Sequence, residues 1–209
     1  MRALALCLLC VAACGRTEAE GEPAGTGTGS ASSSVDSAKE QARFDSERRP
    51  DKIVEALGIG PGSRVADIGA GSGLLTVHLA RAVAPSGHVV ATDIDGAVLD
   101  LLSQRLKAAG LSDVVERRVV AAEATGLEDG VYDAILLAEV DHFFSDPATW
   151  LRSASKALKP DGRIVISNRI YHRAQTMAAA KKAGLVLKTE SNPVATHFVA
   201  IFVTEESKK

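Results

Sequence analysis

The chain is expected to fold as a doubly wound α/β domain, a seven-stranded and mostly parallel sheet with helices on both faces. Three observations predict this. From about residue 40 onward, short apolar runs of strand type alternate with segments of helical spacing. A glycine-rich loop, "GAGSG", follows directly on the first strand-like run. The last two apolar runs are separated only by "SNPVAT". A parallel crossover needs roughly a dozen residues or more, so this final pair must be antiparallel.

The elements follow in order. "DSERRPDKIVEALGI" has helical spacing, with Ile53, Val54 and Leu57 on one side, and "GPG" at 60–62 stops it. "SRVADI" is a short strand of buried type. "GLLTVHLARAV" is helical and ends at "APSG"; "HVVATDI" is the second strand. "AVLDLLSQRLKAAG" is an amphipathic helix closed by Gly110. "DVVERRVV" and "YDAILLAEV" are strands three and four. "DPATWLRSASKALKPDG" reads as a helix capped by Asp146, with Pro147 at its first position and a Pro-Asp-Gly stop. "RIVISN" is strand five, "RAQTMAAAKKAG" a helix, and "LVLKTE" and "HFVAIFVTE" the closing strands.

With 209 residues and 46% hydrophobic content, the chain can bury one sizeable core. The net charge of −2 and the scattered basic pairs give no nucleic-acid footprint. All three cysteines, Cys7, Cys10 and Cys14, lie in the first fourteen residues. The body therefore has no disulfide framework, no cysteine nucleophile and no cysteine metal site.

Those fourteen residues, "MRALALCLLCVAAC", carry one arginine and an apolar run too short to span a bilayer but suited to a secretory signal. The closing "VAACG" resembles the lipobox of bacterial lipoproteins, which implies a lipidated Cys14 as the new N-terminus. Residues 1–14 are then a signal peptide, 15–39 a flexible Gly/Ser/Thr-rich tether, and 40–209 the folded domain. The implied location is the cell envelope. Gly15, not an acidic residue, follows the cysteine, which favours the outer membrane; without a working signal the protein is cytoplasmic.

The glycine loop narrows the ligand. Gly69, Gly71 and Gly73 are followed by Leu74, so the dinucleotide pattern G-x-G-x-x-G is missed, and no phosphate loop ending in G-K-[ST] exists. Asp67 at the strand end would repel a phosphate and suit an ammonium group. Asp93, about twenty residues past Gly73, stands where a carboxylate can accept from both ribose hydroxyls. A ligand with a ribose, an amine and no phosphate to cradle is implied.

Over roughly residues 50–204 the chain resembles the class I S-adenosylmethionine-dependent methyltransferase family, which has a Rossmann-like sheet. "VADIGAGSG", "ATDID", "ALKPDGRIVI" and the closing hairpin carry the likeness, in order. The resemblance implies S-adenosyl-L-methionine as cofactor. It puts Gly69, Ala70 and Gly71 against the methionine part, Asp67 toward its amino group, Asp93 on the ribose and Ile94 on the adenine. Glu123 stands near the residue that accepts from the adenine amino group. Gly73 is assigned to packing.

In-line transfer from a sulfonium needs positioning and exclusion of water more than a fixed set of catalytic groups. In "AEVDHFFSD", Glu139, Asp141 and His142 are the polar groups at the end of strand four. Glu139 is assigned to the cofactor side; Asp141 and His142 are the catalytic candidates, His142 either as a base or as a ring packed on Phe143 and Phe144. No further ligand is spaced with them for a metal. Tyr171 and His172 are candidates to face the acceptor. Aromatic content is 4%, and no aromatic platform is evident in the sequence. Any lid must come from the helix around Arg48–Leu57. The expected acceptor is a small molecule and the expected state a monomer. The alternative is a methyltransferase-fold lipoprotein that binds S-adenosylmethionine or a related nucleoside without turnover.

Overall fold

A computed structural model describes residues 29–205, and their side chains from residue 37. Cys14 and the expected signal peptide lie outside the described residues.

Helix α1 spans Gly29–Arg48, beginning inside the segment expected as a tether up to residue 39. Composition counts apolar surface, and α1 is held mainly by polar contacts that such a count does not register. Gln41 Nε2 donates to the Leu74 carbonyl at 3.0 Å, Asp45 meets His78 at 2.8 Å, and Arg105 pairs with Glu40 at 2.8 Å. The single helix expected across residue 49 is two. Arg49 takes φ 50° and α2 starts at Pro50, running to Leu57. A residue before proline is disfavoured in the right-handed helical region, so the chain turns there. Helix α2 buries Ile53 and Leu57 completely.

The alternating elements follow: β1 Arg64–Ile68, α3 Thr76–Val83, β2 His88–Asp93, α4 Gly96–Ala109, β3 Val115–Val119, β4 Tyr132–Ala138, α5 Pro147–Ser155, β5 Leu158–Arg169, α6 Arg173–Lys182, β6 Leu185–Val194 and β7 His197–Thr204. Asp146 caps α5 by accepting from the Thr149 N–H at 3.1 Å, as its position before Pro147 suggested. The helix stops at Ser155, short of the expected Pro-Asp-Gly, and "KPDG" belongs to an extended β5.

The sheet order is β3-β2-β1-β4-β5-β7-β6. Strands β1 to β5 pair in parallel, while β7 inserts antiparallel between β5 and β6. The predicted doubly wound sheet with an antiparallel ending is therefore observed. Two apolar clusters cover its faces. One sets Trp150 and Leu151 of α5 against Ile135 and Ile166; the other sets Ile53, Leu79 and Leu102 against Val65 and Leu136.

Strand order reverses at β1, which has β2 on one side and β4 on the other. The loops leaving the carboxyl ends of β1 and β4 turn to opposite faces, and a crevice opens between them. Ligands bind at such switch points in open α/β sheets.

Candidate functional site

Two adjoining cavities occupy the switch point. The larger, about 410 Å³, is walled by the ends of β1 and β2, the segment after β3 and the turn after β4. The smaller, about 260 Å³, lies over the glycine loop beneath α1. Gly69, Ala138 and Glu139 border both, so the two can hold parts of one molecule.

The loop geometry explains its glycines individually. Gly69 has φ 68°, and a Cβ there would stand 2.8 Å from Val140 Cγ2. Gly71 has φ 56° with only Val98 Cγ1 near, at 4.0 Å. Its N–H donates to Asp93 Oδ2 at 2.9 Å, while the Ala70 N–H donates to the Thr92 carbonyl at 2.9 Å. Asp93 also accepts from the Asp95 N–H through Oδ1 at 3.1 Å. One carboxylate thus ties the loop after β1 to the turn after β2, a function the sequence reading did not assign. Gly73 borders neither cavity; a Cβ there would fall 2.1 Å from Leu102 Cδ1, so α4 packs against it.

Asp67 borders the smaller cavity and is 2% exposed. Burial pushes its pKa up to about 7; the hydrogen bond from Thr76 Oγ1 at 2.7 Å opposes the rise and the charge of Asp93 adds to it. A raised carboxyl contributes most to stability when protonated, and that contribution is lost as pH climbs through about 7. A cation placed beside Asp67 reverses the balance. Affinity for an ammonium ligand is therefore expected to rise from about pH 6 to about pH 8 and to lose that slope in Asp67→Asn, as calorimetry at both values would show.

The larger cavity suits a flat, partly polar group. Ile94 is 66% and Phe143 74% exposed, both on its wall. Thr92 Oγ1 and Trp150 Nε1, also at its wall, are buried without hydrogen-bond partners. Orphaned polar atoms beside uncovered apolar surface fit an aromatic heterocycle. Glu123 is not at this wall: its carboxylate accepts from the Ser145 N–H at 3.1 Å, while Val120, Ala121, Ala122 and Ala124 line the cavity. The carboxylate expected near the adenine is thus turned to another loop.

Glu139 is at the junction, with φ 54°, a left-handed conformation costly for a residue with a side chain. Its N–H donates to the Ser167 carbonyl at 2.8 Å. Its carboxylate accepts from Arg48 Nη1 at 2.5 Å, Arg169 Nε at 2.9 Å and His197 Nε2 at 2.9 Å. Burial pushes its pKa up, but His197, Arg48 and Arg169 together outweigh that and hold it at about 2. Glu139 therefore meets three basic side chains as well as bordering the cofactor-sized cavities.

Asp141, expected in a catalytic role, is 3% exposed and fully engaged. Its Oδ1 accepts from Asn168 Nδ2 at 2.6 Å and its Oδ2 from Thr176 Oγ1 at 2.5 Å, binding the end of β4 to β5 and α6. Neither Asp141 nor His142 lines the two cavities. The Asn168 amide is oriented by Asp141 on one side and by the Arg169 N–H, which donates to its Oδ1 at 2.7 Å, on the other. Its Nδ2 thereby also faces His142 Nδ1 at 3.0 Å, making that nitrogen an acceptor and leaving the ring proton on Nε2. Burial and the neighbouring His172 lower the His142 pKa, favouring this neutral form. Base catalysis through Nε2 is not what the geometry provides.

His142 instead stacks in a row of rings. Phe143, His142, His172 and Tyr171 succeed one another at centroid separations of 4.1, 4.0 and 4.3 Å. No aromatic platform was evident in the sequence because its two pairs are almost thirty residues apart and meet only through the pairing of β4 with β5. Of the segment Arg48–Leu57 expected to supply a lid, Arg48 borders the smaller cavity, joined by Phe44 of α1, whereas α2 is packed on the sheet.

Residues 66–164 match the family model described as a methyltransferase domain. The methyltransferase-domain match covers just under half of the chain and takes in the glycine loop, Asp93 and Glu139. Among curated proteins, the ubiquinone/menaquinone biosynthesis C-methyltransferase UbiE of Vibrio cholerae serotype O1 is 31% identical over 113 residues, 54% of this chain and 44% of that protein. The chain thus spans under half the length of the curated relatives it matches. Among solved structures, a SAM-dependent methyltransferase from Aquifex aeolicus aligns with TM-score 0.71 and 20% identity, over 81% of this chain and 96% of that one. Geranyl diphosphate C-methyltransferase from Streptomyces coelicolor A3(2) aligns with TM-score 0.65 and 18% identity, over 77% and 79%. At such identities the structural likeness establishes the fold.

Proposed function

We propose that this protein is an S-adenosylmethionine-dependent methyltransferase acting on a small-molecule acceptor. The observation that carries the reading is the pair of joined cavities: a buried carboxylate at one end, a glycine loop tied to Asp93 in the middle, and exposed Ile94 with orphaned polar atoms at the other. An amino acid, a ribose and a flat base match those three parts in order. The match of residues 66–164 to a methyltransferase domain agrees with it.

S-adenosylmethionine supplies a methyl group on a sulfonium, which leaves for the acceptor while the sulfur keeps the bonding electrons. The chain's own residues perform the rest. Asp67 meets the amino group, Asp93 the ribose hydroxyls, and Ile94 the adenine face. Phe44 and Arg48 cover the reacting end and keep water from it. Glu139, ionised and held by three partners, fixes the turn after β4 at the junction of the two cavities. Calorimetric titration with S-adenosylmethionine, followed by transfer of a labelled methyl group to extract components, tests the reading. Absence of heat and of competition by S-adenosylhomocysteine would refute it.

We propose separately that the protein is anchored to the cell envelope through a lipid on Cys14. Support comes from the order of features in "MRALALCLLCVAACG" and the polar stretch behind it. Among the described residues no helix is long and apolar enough to cross a membrane. One acyl chain holds only marginally and two or more hold firmly. The natural protein is expected in the detergent phase after Triton X-114 partition, and Cys14→Ser in the aqueous phase or unprocessed. A native protein retaining Met1 and staying aqueous would remove the anchor.

A further inference from the structure

The side of Glu139 away from the glycine loop carries more positive charge than its carboxylate can balance. Two guanidinium groups and one imidazole converge on it, so at least one positive charge is uncompensated. Arg48 is only 12% exposed, and its Nε is buried without a partner. Arg169 is 55% exposed beyond its bond to Glu139. The next arginine, Arg173, is by contrast matched by Glu190 through two hydrogen bonds. Holding like charges together around one acid is unfavourable unless a further anion joins them.

The ring row adjoins this charge along the chain. Arg169 follows Asn168, whose Nδ2 stands 3.0 Å from His142 Nδ1, and precedes Ile170 and Tyr171. Phe143 at one end of the row borders the larger cavity, and Tyr171 at the other is 73% exposed. Ring surface left uncovered next to unbalanced positive charge matches an anion that carries its own flat apolar group.

Building on the methyltransferase reading, we propose that the acceptor is a small aromatic carboxylate, its ring laid on the Phe143–Tyr171 row and its carboxylate met by Arg169 with Arg48 and His197 behind. Guanidinium binds carboxylate through paired hydrogen bonds, and a planar ring can pack on the exposed end rings, Phe143 and Tyr171.

The test uses the full chain and two probes of equal shape, benzoate and benzamide, titrated with and without S-adenosylhomocysteine and followed by ligand-observed NMR. Benzoate is expected to bind saturably, and benzamide roughly tenfold more weakly or worse, the scale of one charge-assisted contact. Arg169→Gln should weaken benzoate by roughly tenfold or more and erase its advantage over benzamide, and Arg169→Lys should restore part of it. S-adenosylhomocysteine affinity should change little in Arg169→Gln, which reports an intact fold. Equal affinity for the two probes, no saturable benzoate binding, or benzoate binding indifferent to Arg169→Gln would overturn the proposal. Loss of S-adenosylhomocysteine binding in the unaltered protein would sink the methyltransferase reading instead, and the benzoate comparison would still stand or fall by itself.

Discussion

Gly73→Val is expected to destabilise the domain by about 2–5 kcal/mol, enough to unfold much of a marginal protein. Two costs add. The backbone sits at φ 84°, a conformation that a side chain makes unfavourable by about 1–2 kcal/mol. The new Cβ would also fall 2.1 Å from Leu102 Cδ1, a fully buried side chain of α4 that cannot swing away. Overpacking of this sort costs about 1–3 kcal/mol. Denaturant unfolding checks it, and Gly71→Val is the control. Gly71 has strain at φ 56° but open space, with nothing nearer than 4.0 Å, so it should lose less stability while losing cofactor affinity. Equal midpoints for Gly73→Val and the natural protein would mean that α4 does not press on the loop.

Asp93→Ala should weaken S-adenosylmethionine binding by about 2–4 kcal/mol, or roughly thirtyfold to a thousandfold. The hydrogen bonds to the ribose account for part. The remainder comes from the loop, because the Gly71 and Asp95 N–H groups lose their shared acceptor. Asparagine is no mild replacement here. Its one acceptor oxygen can serve only one of these N–H groups, and its NH2 would face the other. Asp93→Asn is therefore expected to bind nearly as poorly as Asp93→Ala, with faster amide exchange at Gly71. Full affinity in either variant would remove both the ribose and the loop assignment.

The sheet and its antiparallel ending were legible because they rest on local signals: runs of buried-type strand, helical periods between them, and a six-residue connection too short to cross over. The glycine loop was legible for the same reason. Arg64 to Asp93 is one strand-loop-helix-strand unit, whose spacing is decided along the chain. Caps such as Asp146 before Pro147 also acted locally.

The side chains around Glu139 belong to a different class. Arg48 comes from α1, Arg169 from the end of β5 and His197 from the start of β7, so their convergence depends on β4, β5 and β7 lying side by side and on α1 crossing the crevice. The ring row has the same origin in the β4–β5 pairing. Asp141 misled for a related reason. An acid beside a histidine at a strand end looks chemical in one dimension, and only the packed structure reveals Asn168 and Thr176 occupying it. Of the two readings of His142, the ring packed on Phe143 is the one observed. Sequence by itself determined the sheet, the switch point and the glycine loop at it, since each is specified by neighbours along the chain. Tertiary structure alone decided which polar groups are spent on holding the fold and which remain exposed, because hydrogen-bond partners far apart in sequence compete for the same few atoms.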